Sequence, residues 1–145
     1  GDELTCCLHI MIRYELEKQL MDGSLAMADL PAAWDDLYEK YLGVRPANVA
    51  EGVLQDIHWS QGSIGYFPSY ALGNAYGAQI AHRMAEDMDI DALLEQGNVS
   101  VITDWLHEHI HRFGAVSAAR YLLVKVTGED FTPKYYFEYL QKKFG

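Results

Sequence analysis

Apolar residues recur along the chain at the three- and four-residue steps of a helix face. Leu4, Leu8, Met11, Ile12, Leu16 and Leu20 form the first run, and Gly23 stands where it ends. Asp29-Leu30-Pro31 predicts the start of a second helix, because proline is tolerated in a first turn. That helix carries Trp34, Leu37, Tyr38 and Tyr41 as far as Gly43. Val49 to His58 reads as a short amphipathic helix, and Ser60 to Gly65 as a turn by composition. A long helix is predicted from Pro68 to about Met88, with Tyr70, Leu72, Ala75 and Ala78 packing closely. Asp89 caps a short helix that ends near Gly97. Asn98 is placed to cap the next, whose stripe is Val99, Ile102, Leu106, Ile110 and Phe113 and whose stop is Gly114. Ser117 to Gly128 comes after it, and Thr132-Pro133 opens a last helix with Tyr136, Tyr139, Leu140 and Phe144. No segment alternates as a strand does and no repeat is visible. The fold class read from this pattern is all-α, about seven helices joined by short turns.

Composition supports a packed core. Half of the 145 residues are apolar and 12% are aromatic, which excludes a disordered chain. No apolar run is long enough to span a bilayer, so no membrane partner is expected. The net charge of −10 repels phosphate backbones, so no nucleic-acid partner is expected either. Cys6 and Cys7 are adjacent; neighbours on a helix point about 100° apart and do not pair readily. They are expected to be reduced and buried, consistent with a cytoplasmic chain.

Two stretches carry candidate chemistry. His107-Glu108-His109-Ile110-His111 satisfies H-E-x-x-H. On a regular helix its outer histidines share a face and can chelate zinc, while the glutamate activates a metal-bound water. Glu138 is a candidate third ligand. The other reading is a histidine-rich, solvated helix face, since His107 and His111 each follow a residue of the apolar stripe.

The second stretch is denser. Gly52-Val53-Leu54-Gln55-Asp56-Ile57-His58-Trp59 is followed by Gly62-Ser63-Ile64-Gly65-Tyr66-Phe67-Pro68-Ser69-Tyr70-Ala71-Leu72-Gly73. Gln55, Asp56, His58, Tyr66 and Tyr70 bring donors and acceptors among aromatic rings. Gly62 and Gly65 allow backbone geometries closed to other residues. A hydrogen-bonded structural turn and a substrate-binding turn are both compatible with this composition.

These residues resemble the metallocarboxypeptidases of the carboxypeptidase Taq family. The G-x-x-Q-D-x-H-W motif is matched at Gly52, Gln55, Asp56, His58 and Trp59, and its G-x-x-G-Y-F-P-x-Y-x-x-G extension from Gly62 to Gly73. Asp2-Glu3-Leu4-Thr5 is similar to the final Asp of an I-R-x-x-A-D motif with E-L-T after it. Trp105-Leu106, Glu108-His109-Ile110-His111 and Pro133-Lys134-Tyr135 resemble the closing helices. The resemblance covers essentially the whole chain; Cys6-Cys7 and Ile64 depart from the usual residues.

The resemblance implies a helical bundle, residues 1–145, that forms the C-terminal segment of the catalytic domain of a mostly helical zincin-type peptidase with a deep cleft. It implies hydrolysis of the C-terminal peptide bond with broad specificity, peptide substrates held by their C-terminus, and a homodimer. Zinc, or another divalent metal, would be held by an H-E-x-x-H and a later H-E-S-Q upstream of the matched region. On this reading no metal ligand lies within the chain, no cofactor is expected in it, and it is inactive alone. His58 and Tyr70 are the expected catalytic residues; Gln55, Asp56 and Tyr66 are expected at the substrate site, Gln55 and Asp56 by orienting the groups there, since Asp56 carries the wrong charge to touch a carboxylate. Two alternatives stand beside this one: a small self-contained zinc protease using His107, Glu108 and His111, and a non-catalytic helical interaction domain.

Overall fold

The structure is a computed structural model that describes residues 2–145. Among them there are eight α-helices and no strand: α1 (Cys6–Asp22), α2 (Leu30–Leu42), α3 (Ile57–Ser60), α4 (Pro68–Asp87), α5 (Ile90–Glu95), α6 (Val99–His109), α7 (Ala119–Thr127) and α8 (Lys134–Phe144). The predicted all-α class is what the structure has. No helix among the described residues is long and apolar enough to cross a membrane. The chain divides into two compact units, residues 1–72 and 73–145, with the division inside α4.

In the first unit, α1 and α2 pack against each other. Both stop at a glycine in the left-handed region, Gly23 at φ 78° and Gly43 at φ 68°, where a side chain would strain the backbone. Ile12, Leu16, Leu30 and Trp34 make the buried centre, with Leu20, Leu37, Tyr38, Val53 and Trp59 packed around it. The stripe expected on α1 is corrected by the burial. Leu4 and Met11 are exposed, and Ile10, Ile12 and Leu16 are buried together with the charged Glu17. Apolar residues occupy more than one face of α1, so spacing alone did not select the buried one. Cys6 and Cys7 are not joined in a disulfide and are half-buried, not fully buried as expected.

The predicted helix from Val49 to His58 does not form. The chain makes turns there, then a single 3-10 turn at Val53–Gln55, and α3 begins only at Ile57. Two residues break it. Gly52 approaches its surroundings so closely that a Cβ would lie 3.2 Å from Asp35 Oδ1 and 3.3 Å from the Asn48 carbonyl. Asp56 is extended, at φ −84° and ψ 115°, and its side chain caps α3.

In the second unit the buried residues are Ala75, Gln79, Met84, Trp105, Leu123 and Tyr136. The Gln79 side chain joins α4 to the loop before α8. Its amide donates to Thr127 Oγ1 at 3.3 Å and the Asp130 carbonyl at 3.1 Å, and its oxygen accepts from Thr132 N at 3.1 Å. Asp89 caps α5 by accepting from Ala92 N at 3.0 Å. Asn98 precedes α6 without a side-chain cap; its amide nitrogen donates to Gln96 Oε1. The expected stripe of α6 is also shifted: Trp105 is its buried residue, while Val99 is half exposed.

Candidate functional site

The candidate site in the first unit is built on a buried ion pair. Arg13 on α1 donates from Nε to Asp56 Oδ2 at 2.8 Å, and the two side chains are 14% and 2% exposed. The guanidinium lies over the rings of Trp34 and Phe67, at 4.7 and 5.2 Å. It also donates to the His9 carbonyl at 3.0 Å and to Tyr38 Oη at 3.3 Å. His9 Nδ1 is 3.1 Å from the same hydroxyl. Burial, and then nearby positive charge that includes Arg13, holds the His9 imidazole below the ordinary histidine range.

Asp56 Oδ1 accepts from the backbone N–H groups of His58 and Trp59, at 2.9 and 3.0 Å. Both carboxylate oxygens are thus occupied inside the protein. Asp56 orients the start of α3 and, with it, His58. It does not fix the His58 tautomer directly, because Nδ1 is 4.0 Å from Oδ1. Gln55 turns back and donates its side-chain amide to the Ala50 carbonyl. That donor closes its own loop.

Three rings meet beside this support. His58 Nε2 is 3.3 Å from Tyr70 Oη. The imidazole stacks near Tyr66 with centroids 5.8 Å apart, and Tyr66 meets Tyr70 edge-on at 5.2 Å. Phe67, buried, closes the inner side of His58 at 4.7 Å. Tyr66 and Tyr70 are half exposed, while the ring of His58 is backed by Phe67. Tyr70 was expected to pack closely within its helix; it is exposed there because its face of α4 belongs to this cluster. Partial desolvation, the neighbouring Tyr66 and a hydrogen bond with it raise the Tyr70 hydroxyl above the ordinary tyrosine range. It therefore stays protonated at neutral pH and can donate.

Arg13 and Glu17 were not read from the sequence as parts of this site. Glu17 is 4% exposed and accepts from Trp59 Nε1 at 2.8 Å and from Gly65 N at 3.1 Å. The signal was present: both are charged residues one turn apart, interleaved with the buried Ile12 and Leu16.

The H-E-x-x-H stretch behaves differently. His107 and Glu108 lie exposed at the end of α6, and the chain leaves the helix at Ile110, with φ −128° and ψ −62°. His111 falls in a separate 3-10 turn, His111–Phe113. Without a regular turn between them, the outer histidines do not share a helix face. Glu108 pairs with Arg112, and Glu138 lies 3.8 Å from Lys134. The packed histidine is the middle one: His109 stacks on Trp105 at 4.2 Å and donates from Nδ1 to the Trp105 carbonyl at 2.9 Å. Among the described residues no three His, Cys, Asp or Glu side chains are grouped so as to hold a metal ion. This donor set does not fit a catalytic metal, which corrects the reading of His107, Glu108 and His111 as a self-contained zinc site.

The sequence profile described as "Carboxypeptidase Taq (M32) metallopeptidase" matches residues 1–144. The chain belongs to this family. It is similar to carboxypeptidase 1 of Bacillus subtilis, 45% identical over 99% of this chain and 29% of that protein. It is also similar to thermostable carboxypeptidase 1 of Pyrococcus furiosus, 38% identical with the same coverage. Among solved structures, the M32 carboxypeptidase of Deinococcus radiodurans superposes with a TM-score of 0.94 at 37% identity, over 100% of this chain and 30% of that one. Metallocarboxypeptidase 1 of Trypanosoma cruzi gives a TM-score of 0.95 at 35% identity, over 99% and 30%. The chain spans about 29% of the length of the curated relatives it matches. The neighbours carry the same helical fold over this region, so the family resemblance read from Gly52 to Gly73 and the architecture agree.

Proposed function

We propose that this chain is the substrate-facing part of a metal-dependent carboxypeptidase, one that hydrolyses the C-terminal peptide bond of peptides with broad specificity. Membership of the M32 family supports the reaction class. The observation that carries the reading within this chain is the contact of His58 Nε2 with Tyr70 Oη at 3.3 Å, beside a buried ion pair and with Tyr70 half exposed.

The chemistry rests on those atoms. Peptide hydrolysis places negative charge on the carbonyl oxygen, and a preorganised donor aimed at it lowers the barrier. Tyr70 Oη, kept protonated, is the donor. His58 Nε2–H, donating to that hydroxyl, orients it, and Tyr66 Oη beside it offers a further donor to the oxyanion or the terminal carboxylate of the peptide. The metal of a metallopeptidase would supply Lewis-acid activation; zinc is the ion proposed, with other divalent metals as substitutes. On this reading its ligands lie outside this chain, which is then inactive alone.

Further proposals concern surroundings. The partner is a peptide, and neither nucleic acid nor a membrane; the net charge of −10 supports the first exclusion. The assembly is a homodimer, supported by the apolar side chains left exposed on α1, Met11, Tyr14 and Met21, and by Leu4 in the turn before it. The compartment is cytoplasmic, which fits two half-buried cysteines outside any disulfide.

The test is a chimera in which this chain replaces the matching residues of Bacillus subtilis carboxypeptidase 1. The chimera is expected to release C-terminal residues. Tyr70→Phe is expected to lower kcat by about 10²-fold or more, with a smaller change in KM. The isolated chain is expected to show no turnover. Unchanged kcat in Tyr70→Phe, or turnover by the isolated chain, would overturn the reading.

A further inference from the structure

The carboxylate of Glu17 touches neither His58 nor Tyr70, yet it is 4% exposed and accepts two hydrogen bonds, both from neutral N–H groups. Leaving such a group buried is unfavourable unless its bonds are made. Its two donors are specific places in the chain. Trp59 directly follows His58, and Gly65 directly precedes Tyr66. Between them runs the tight turn that brings Tyr66 and Tyr70 back over the imidazole.

The near end of that turn holds itself. The amides of Gln61 and Ser63 donate to the His58 carbonyl, at 3.1 and 2.9 Å, and Gly62 N donates to the Trp59 carbonyl at 3.0 Å. The far end is held from outside: the Gly65 amide is taken by Glu17 Oε2 at 3.1 Å, while Oε1 holds the Trp59 indole at 2.8 Å. Gly65 sits at φ 74°, so its peptide faces a direction an ordinary residue would not give it. Two donors arriving from different directions need two acceptor atoms. A carboxylate has them, whereas a glutamine of the same shape has one acceptor and one donor group.

We propose that Glu17 is a positioning residue that fixes the His58–Tyr66–Tyr70 cluster, by tying both ends of the turn between residues 59 and 65 to α1. The proposal rests on the reading of His58 and Tyr70 as the working pair, and it adds the residue that sets their separation.

The experiment is Glu17→Gln in the 145-residue chain, read by NMR. The isosteric change leaves one N–H facing an amide donor. Exchange of the Gly65 amide is expected to speed up about tenfold or more, and the ring-to-ring Overhauser contacts of His58 with Tyr70 are expected to weaken or vanish. The Trp105–His109 contacts in the second unit are expected to be unchanged. Retention of both Gly65 protection and the His58–Tyr70 contacts overturns the proposal. If the variant does not fold, the wild-type chain decides it: slow exchange of the Gly65 amide and the Trp59 indole supports the clamp, and exchange of both at free-peptide rates overturns it. In the chimera, Glu17→Gln is expected to lower kcat about tenfold or more with KM within about twofold. Lost ring contacts with full turnover would leave the clamp standing and overturn the catalytic reading of His58 and Tyr70. Intact ring contacts would overturn the clamp and leave that reading untouched.

Discussion

Two segments of the chain set histidines among aromatic and acidic neighbours, and they use those neighbours differently. Around His58, the acid Asp56 is 2% exposed, paired with Arg13 from a distant helix, and spends its other oxygen on the backbone of α3. Around His107 to His111, the acid Glu108 pairs only with Arg112, one turn away on the surface. The first arrangement fixes a ring in three dimensions. The second leaves two histidines on either side of a break in the helix. Long-range, buried support distinguishes a place where geometry can be held from one where residue types coincide.

The largest way to break that contrast is Asp56→Ala. It removes the partner of Arg13 and the cap of α3 together. The first unit is expected to lose about 3–5 kcal/mol, read as a lower urea midpoint, and a loss below about 1 kcal/mol would show the pair to be incidental.

Acid sharpens the comparison next. The His9 imidazole is held below its ordinary range in the folded chain, so folding favours its neutral form. Its contribution is complete above the unfolded value of 6.5 and is lost as pH falls below it. Asp130 in the second unit is lowered from 3.8 to about 2 by Arg120 and by the Phe131 amide. Its contribution is present above 3.8 and is lost as pH falls through about 2. The first unit is therefore expected to weaken at mildly acidic pH before the second does. Indole NMR signals of Trp34 and Trp59 against that of Trp105 report the two separately, and His9→Gln should flatten the early limb.

Much of the fold was legible, and the losses have physical causes. α1, α2 and α4 were bounded by glycine and proline signals that the structure uses as read. Val49 to His58 misled because its apolar spacing suits a helix, while Gly52 is pressed against Asp35 and Asn48 and Asp56 is needed extended as a cap. His58, Tyr66 and Tyr70 were legible as a set through their motif, and the structure brings their rings together. Gln55 and Asp56 were legible as orienting positions, but only coordinates show which groups they hold: the Ala50 carbonyl for the Gln55 amide, and Arg13 with the start of α3 for Asp56. Arg13 and Glu17 were missed because charged residues on a helix are ordinarily solvated. Their place between Ile12 and Leu16 was the cue.

Smaller effects are expected at the second segment. His109→Ala removes a ring stacked on Trp105 and one hydrogen bond to backbone, and should lower the stability of the second unit by about 1 kcal/mol. Glu108→Ala removes a surface ion pair one turn long, and calorimetry should detect a change of about 0.5 kcal/mol or less. A loss of several kcal/mol from either would mean that the segment is held far more firmly than its contacts imply.

The most direct measurement sets the two segments against each other in the same molecule. In the chimera with Bacillus subtilis carboxypeptidase 1, kcat is determined for His58→Ala and for the double variant His107→Ala/His111→Ala. The account predicts that His58→Ala loses about 10²-fold or more, while the double variant stays within about twofold of the parent. Full activity in His58→Ala, with activity abolished in the double variant, would contradict it.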